Sequence, residues 1–478
     1  MNKPPVGPLV AFVLLAGLSA WVIFKEAPPG SAPKDDAKPE ERVLEFPRES
    51  VKTITISGGQ GEFRIEKEGE AWRLAQPVRT AADTEAIEGL LSGIESARID
   101  RRLGAGGDLK TYGLDPPGAT LTLEAGESAP RVLRLGAEAP IGGTWYAQLP
   151  ENGEVAIITS SGGEFARQDL LALRDKTLVD LDAWKVRRLT MTRPGGSIAL
   201  EKFDDTWTVK TPVEAPADGP TITDLLTALQ NLRARSFPAE SPNAAELRRF
   251  GLDPPMAHVT LLQEGWDLEK TLQFGKPAGE NRYARAVGRE PVLEVSGDVW
   301  EKITTRLFDV RRKELLGLGQ YRIQTLTAIR PGQPSLTLTR EPDGSWTASG
   351  PATGKVKADS MDTLLRHVSA LKATRFHDTP TEAERARLLR HPAIDLTLAE
   401  EPPAEGGTAK TQHLVLGPPD RTGRILVRDM AWRPIAEAPA VMLHGITQQI
   451  DAVLEEAKQT PPAPAASETP GASPAPQE

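Results

Sequence analysis

The sequence predicts an α+β protein: an N-terminal transmembrane helix followed by three tandem repeats of mostly antiparallel sheet with two packed helices each. Three observations carry that prediction. The turn Tyr112-Gly113-Leu114-Asp115-Pro116-Pro117 recurs as Phe250-Gly251-Leu252-Asp253-Pro254-Pro255, with only the aromatic exchanged. Such a repeat marks equivalent points in two copies of one unit. An apolar stripe at helical spacing occurs three times, as Ile87, Leu90, Leu91, Ile94, as Ile222, Leu225, Leu226, Leu229 and as Met361, Leu364, Leu365, Val368, each the buried face of a helix on a sheet. Finally, Val6 to Phe24 carries no charge and at ~1.5 Å per residue reaches roughly 28 Å, about one hydrocarbon thickness.

In chain order, residues 1–25 read as an anchor. Leu18-Ser19-Ala20 would suit cleavage of a signal peptide, but the apolar run continues through Trp21, Val22, Ile23 and Phe24, longer than a signal core, which favours an uncleaved span. Lys3 precedes the span, and Asp and Glu follow soon after Lys25. By the positive-inside rule the bulk of the chain is expected outside the cytoplasm. Residues 26–41, rich in Pro, Ala and charge, form a spacer. Repeat 1 then covers 42–182, repeat 2 covers 183–318, and repeat 3, a degenerate copy, covers 319–458. A Pro- and Ala-rich tail, 459–478, is expected to be disordered.

Each repeat opens with an alternating strand, at Val51, Val186 and Ile323, and continues into a hairpin that ends on Trp72, Trp207 or Trp346. A tryptophan recurring on a strand reads as core. The striped helix follows, with Asp83 or Thr84, Thr221 and Asp359 as expected N-caps. The recurring turn has a local mechanism. Gly113 and Gly251 supply the positive φ that closes a helical turn, and Leu114 and Leu252 fold back on it. Asp115 and Asp253 are pushed to extended geometry by Pro116 and Pro254. Further strands precede a closing helix that ends in Leu173-Arg174-Asp175-Lys176-Thr177-Leu178 and again in Val310-Arg311-Arg312-Lys313-Glu314-Leu315. Those basic ends run into the next copy with no flexible linker, so the repeats are expected to stack rigidly. Repeat 3 breaks the pattern: it reads Leu388-Leu389-Arg390-His391-Pro392 where the glycine turn should be.

The chemistry-bearing residue types offer little. The net charge of -9 argues against a nucleic-acid partner. Cysteine is absent, which removes disulfides, thiolate metal sites and a cysteine nucleophile. No phosphate-binding glycine loop and no nucleophile elbow occurs. The six histidines, His258, His367, His377, His391, His413 and His444, share no metal-ligand spacing. Catalytic, cofactor and metal residues are therefore all read as none. The turn residues and the tryptophans are structural. Positions that differ among copies, Trp145 against Arg282, and Trp266, which has no counterpart, are the candidates for an interaction surface in grooves between repeats.

The anchor, the tryptophan hairpin, the YGLDPP turn and the LRDKTL junction together resemble bacterial domain-of-unknown-function repeat proteins encoded beside gliding-motility-type ABC transporters. The resemblance covers residues 43 to 455, most firmly the first two copies, and carries no catalytic residues with it. It implies a single-pass inner-membrane protein with a periplasmic repeat region, working with ABC transporter subunits. Two functions follow as expectations. One is a non-enzymatic binding or scaffold subunit whose partners are the membrane, the transporter or an envelope polymer. The other is a cell-envelope hydrolase or glycan-modifying enzyme with an acidic site in one repeat, which requires a pocket with two converging carboxylates or a histidine constellation.

Overall fold

The alternating segments pair into three separate sheets in the computed structural model, which describes residues 41–105, 107–126, 129–140, 142–402 and 408–460. In the first sheet the strands are β1 (Val51–Gly58), β2 (Gly61–Glu68), β3 (Ala71–Gln76), β4 (Thr80–Ala81), β5 (Ile99–Gly104), β6 (Ala119–Ala125), β7 (Arg131–Glu138), β8 (Trp145–Gln148) and β9 (Val155–Ile158). They lie in the order β4-β3-β2-β1-β6-β7-β8-β9-β5, and neighbours run antiparallel. The second sheet repeats this order with β10 (Val186–Arg193), β11 (Gly196–Phe203), β12 (Thr206–Thr211), β13 (Ala215–Pro216), β14 (Ala234–Ala239), β15 (Ala257–Gln263), β16 (Lys270–Ala278), β17 (Asn281–Ala286) and β18 (Val292–Ser296). The third uses β19 (Ile323–Ile329), β20 (Leu336–Arg340), β21 (Trp346–Ser349), β22 (Gly354–Val356), β23 (Arg375–His377), β24 (Ile394–Glu400), β25 (Thr411–Leu416), β26 (Arg424–Asp429) and β27 (Ile435–Pro439).

In each copy one helix carries the chain across the sheet, from the short strand at one edge to the strand at the other. These are α1 (Thr84–Ser96) in the first repeat, followed there by the single-turn α2 (Leu170–Leu173). The second repeat holds α3 (Gly219–Gln230), α4 (Ala244–Phe250), α5 (Val299–Ile303) and α6 (Leu307–Val310). The third holds α7 (Ala358–Ser369), α8 (Glu382–Arg390) and α9 (Ala440–Gln459). The three predicted stripes are the buried faces of the crossing helices α1, α3 and α7. Each packs on its own sheet, with Trp72, Trp207 and Trp346 inside the same cores. Burying an aliphatic side chain in this way contributes about 1.5–3 kcal/mol.

The structure corrects several expectations. Two packed helices per repeat is too uniform: the first repeat closes on a single turn, the second on two short helices, and the third on the long α9, which buries Leu443, Ile446, Ile450 and Val453. The basic LRDKTL and VRRKEL segments are not helix ends. Helix stops at Leu173 and Val310, and the following residues run extended, with Arg174 bridging Ala82, Arg311 bridging Ala217 and Glu314 bridging Lys372. The first expected cap is met at Asp83 and the other two shift. Asp83 accepts from the Ala86 N–H, and Asp218, not Thr221, accepts from the Thr221 N–H. Pro220 starts that helix early because its missing N–H costs nothing in a first turn. Lys357 stands at the third cap without a side-chain bond, and Asp359 falls inside the first turn.

The chain divides into two compact units, Met1–Lys176 and Thr177–Glu478. The first holds the first sheet, and the second holds the other two. Core membership places the repeat limits a few residues earlier than the opening strands suggest: Leu178, Val179 and Leu181 bury in the second core and Leu316 in the third. The expected anchor, nearly all of the spacer and nearly all of the tail lie outside the described residues. Among the described residues, no helix is long and apolar enough to cross a membrane.

Candidate functional site

The recurring turn works as a lock between the chain and a strand end. Gly113 and Gly251 sit at φ 68° and 71°. The N–H of Leu114 reaches the Leu109 carbonyl and that of Leu252 the Leu247 carbonyl, both at 2.8 Å, which is the glycine-terminated helix end expected. The carbonyl just before the glycine then presses on the end of β7 or β16. A Cβ on Gly136 would lie 2.0 Å from the Tyr112 oxygen, and one on Gly275 would lie 2.2 Å from the Phe250 oxygen. The turn aromatic packs on the tyrosine of the next strand, Tyr112 on Tyr146 at 4.9 Å and Phe250 on Tyr283 at 4.6 Å. Leu114 and Leu252 are buried. Both Asp-Pro bonds of the motif, Asp115-Pro116 and Asp253-Pro254, are cis.

Two of the three residues named as candidates for an interaction surface are buried. Trp145 and Arg282 are each only 8% exposed. Trp145 fills the space over Gly163, with the Arg167 guanidinium 5.3 Å from its ring. Arg282 donates to the Gly275 carbonyl and stacks 3.6 Å over Trp300, and burial pulls its pKa down. Arg282 therefore supports the strand end that the turn locks. Trp266 is half-buried against the second core, with the Lys270 ammonium 3.9 Å from its ring.

Where the third repeat lacks the glycine, a different arrangement appears. The segment winds into α8, capped by Thr381 and Glu384 in a reciprocal box. Leu388 is fully buried with Val415 and Ile435, and a Cβ on Gly417 would come nearest to the tip of Leu388, at 3.1 Å, with the Leu426 carbonyl oxygen at an ordinary contact distance of 3.4 Å. Beside this helix lies a cavity of about 290 Å3, lined among others by His377, Glu384, Arg387, Asp420, Arg424 and Glu437. His377, on β23, stands between two carboxylates, with Nδ1 3.1 Å from Glu384 and Nε2 2.7 Å from Glu437. Arg424 holds the other Glu437 oxygen at 3.1 Å.

His377 thus bridges the carboxylates of Glu384 and Glu437. The Glu384 carboxyl is held below its ordinary pKa, first by the Thr381 backbone N–H and also by the Thr381 hydroxyl and the neighbouring His377 and Arg375, against the opposing effect of burial. This cluster borders a cavity that also presents Arg387 and Arg424. Nothing local along the chain signals it, because its members come from β23, α8 and β27 and meet only in the fold. Among the described residues, no group of histidine and carboxylate side chains is arranged to hold a metal ion.

Three similar sheets, each crossed by a helix and joined in line along the chain, define a tandem α+β repeat protein. The chain belongs to the family described as Domain of unknown function (DUF4340), which matches residues 72–211 and 207–390. The two matches start at Trp72 and Trp207, the same point of successive repeats. No curated protein matches the sequence. Among solved structures, a putative DNA polymerase III beta subunit from Eubacterium rectale ATCC 33656 aligns over 83% of this chain and 92% of that chain, at 7% identity and a TM-score of 0.13, which carries no argument.

Proposed function

We propose that the protein is a membrane-anchored periplasmic scaffold or binding subunit, without catalysis of its own, that serves a gliding-motility-type ABC transport system. The observation that carries the scaffold reading is the connector between the second and third repeats. Asp218 N–H bonds to the Val310 carbonyl at 2.8 Å and Arg312 N–H to the Pro216 carbonyl at 3.0 Å. A few residues on, Ala373 N–H reaches Lys313 at 2.8 Å and Leu315 N–H reaches Leu371 at 2.9 Å. The connector is thus hydrogen-bonded into both repeats and leaves no slack between them, which fixes the spacing of whatever surfaces they present. The uncharged Val6 to Phe24 supports the anchor, and the family resemblance supports the transporter. The test is to crosslink the native, membrane-embedded protein and identify what it captures. An ABC ATPase and its membrane subunit are expected, and they should be lost when Val6 to Glu41 is deleted. Capture of cell-wall fragments alone, or of nothing, overturns the transporter role.

A second reading, an envelope hydrolase or glycan-modifying enzyme, is favoured by the His377, Glu384 and Glu437 cluster, because paired carboxylates around a proton-exchanging group are what general acid-base cleavage uses. Purified envelope polymers incubated with the full chain should then release fragments, and His377→Ala and Glu437→Gln should stop the release. Absence of turnover by the unaltered protein removes this reading.

A further inference from the structure

At the junction of the second and third repeats, three successive cations, Arg311, Arg312 and Lys313, are treated differently by the fold. Arg311 is 2% exposed, pairs with Asp378 at 2.6 Å and lies 4.1 Å over the Phe376 ring. Lys313 reaches the Asp309 carbonyl at 2.7 Å and Asp218 at 3.6 Å. Arg312 makes no ion pair among the described residues, and its Nε, like that of Arg311, is buried without a hydrogen-bond partner. Burial pulls the Arg312 pKa below its ordinary value, and Asp429 and Glu314 act more weakly in the other direction. A guanidinium does not shed its proton in a protein, so its buried N–H groups require acceptors.

Both arginines line a cavity of about 50 Å3 walled by Phe376, Trp432 and Leu315. Two carboxylates, Glu314 and Asp429, also face it, each already bonded to another partner. Glu314 is held by Lys372 at 2.8 Å, and Asp429 accepts from Gln412 at 2.7 Å and from the Ala431 N–H at 3.0 Å. Among the described residues, neither carboxylate hydrogen-bonds to Arg311 or Arg312, and the two Nε atoms stay without a partner. Space and charge select the size of an acceptor. About 10–15 Å3 of such volume holds one water, so the cavity takes three or four waters or one carboxylate with its attached carbon. A phosphate group would set a second negative charge against Glu314 and Asp429, which disfavours it.

We propose that this junction cavity is a binding site for a single carboxylate group, held by the Arg311 and Arg312 guanidiniums and covered by Phe376 and Trp432. The carboxylate comes either from a small free acid or from the end of a peptide or acyl-amino-acid chain. Bound between the two repeats, it would be read by the junction itself, since residues 311–315 are the segment that ties them together.

The test is isothermal titration of the full chain, in detergent micelles, with acetate, N-acetylglycine and inorganic phosphate at constant ionic strength. Acetate is expected to bind saturably at one site and phosphate not at all. Arg312→Gln, which keeps the packing of the stem, should weaken acetate at least tenfold. Asp429→Asn, which removes the facing negative charge while keeping an acceptor for Gln412, should tighten it several-fold. Binding of N-acetylglycine as tight as that of acetate identifies a chain-end carboxylate as the ligand, and its exclusion identifies a small acid. Either result supports the site. Absence of saturable acetate binding to the unaltered protein, or unchanged binding in Arg312→Gln that still unfolds cooperatively on heating, overturns it.

Discussion

The second and third repeats solve the same stretch of chain in opposite ways. In the second, α4 ends at Gly251, the Phe250 carbonyl sits on Gly275, and Arg282 is drawn in beneath, so the strand end is sealed by backbone. In the third, α8 runs on to Arg390, the Leu388 tip is the nearest approach to Gly417, and the space that opens is lined by His377, Glu384 and Glu437. Losing one glycine thus exchanges a closed backbone contact for a side-chain contact and a titratable cavity. A repeat protein can diversify in this way, because each unit's core is filled by its own sheet and crossing helix and does not depend on how the turn is finished.

The sharpest way to break this comparison is to place a methyl at the two equivalent glycines. Gly275→Ala would force Cβ to 2.2 Å from the Phe250 carbonyl oxygen, and both partners are backbone. The expected cost is about 3 kcal/mol or more, read as early loss of the second repeat on heating. Gly417→Ala meets a movable Leu388 tip at 3.1 Å and should cost less than about 1 kcal/mol. Equal costs would mean that the third repeat is sealed as tightly as the second.

Leu388→Ala probes the side-chain lock that replaces the backbone one. Leu388 is fully buried in a small cluster with Val415 and Ile435, so its truncation should cost about 2–3 kcal/mol. The loss should be local, appearing as faster hydrogen exchange in α8 and little change in α7. Gly251→Ala tests the other side. At φ 71° an alanine pays about 1–2 kcal/mol for the left-handed conformation, and Gly251→Asn should recover part of it, since asparagine tolerates that region better.

The two halves of this contrast differ in how far the sequence revealed them. The turn was legible because its work is local: a positive φ, a proline stop and a leucine fold-back all act within the motif. The crossing helices were legible from their stripes for the same reason. The partner glycines Gly136 and Gly275 needed the fold, since their requirement comes from a carbonyl more than twenty residues away in sequence. The edge strands β5, β14 and β23 were missed because they are short, half exposed and partly basic, with no alternation to read. The connector misled because Arg174 and Arg311 look like helix-terminal cations, yet both are buried. His377 was dismissed as one of six scattered histidines, because its partners Glu384 and Glu437 lie on other elements.

The smallest predicted effect concerns acid. The α8 cap depends on a carboxylate: Glu384 accepts from the Thr381 N–H at 2.7 Å and from its hydroxyl at 2.9 Å, and its pKa is lowered in the folded protein. The folded state then binds fewer protons than the unfolded chain. The stability from this group is fully present above the ordinary glutamate pKa of about 4.3 and is lost as pH falls below it. At the corresponding point of the second repeat, α4 carries a box of the same kind, in which Asn243 replaces Thr381 and Glu246 accepts from the Asn243 N–H at 2.9 Å. Between pH 6 and pH 3, hydrogen exchange corrected for intrinsic rates should therefore show α8 losing up to about 1 kcal/mol of protection. Glu384→Gln should flatten that slope and leave α4 unchanged. An α8 slope that survives the substitution would place the acid sensitivity elsewhere in the cavity, with Asp420 the next group to replace, since its pKa is also lowered, first by the Arg424 N–H and then by the Thr422 hydroxyl.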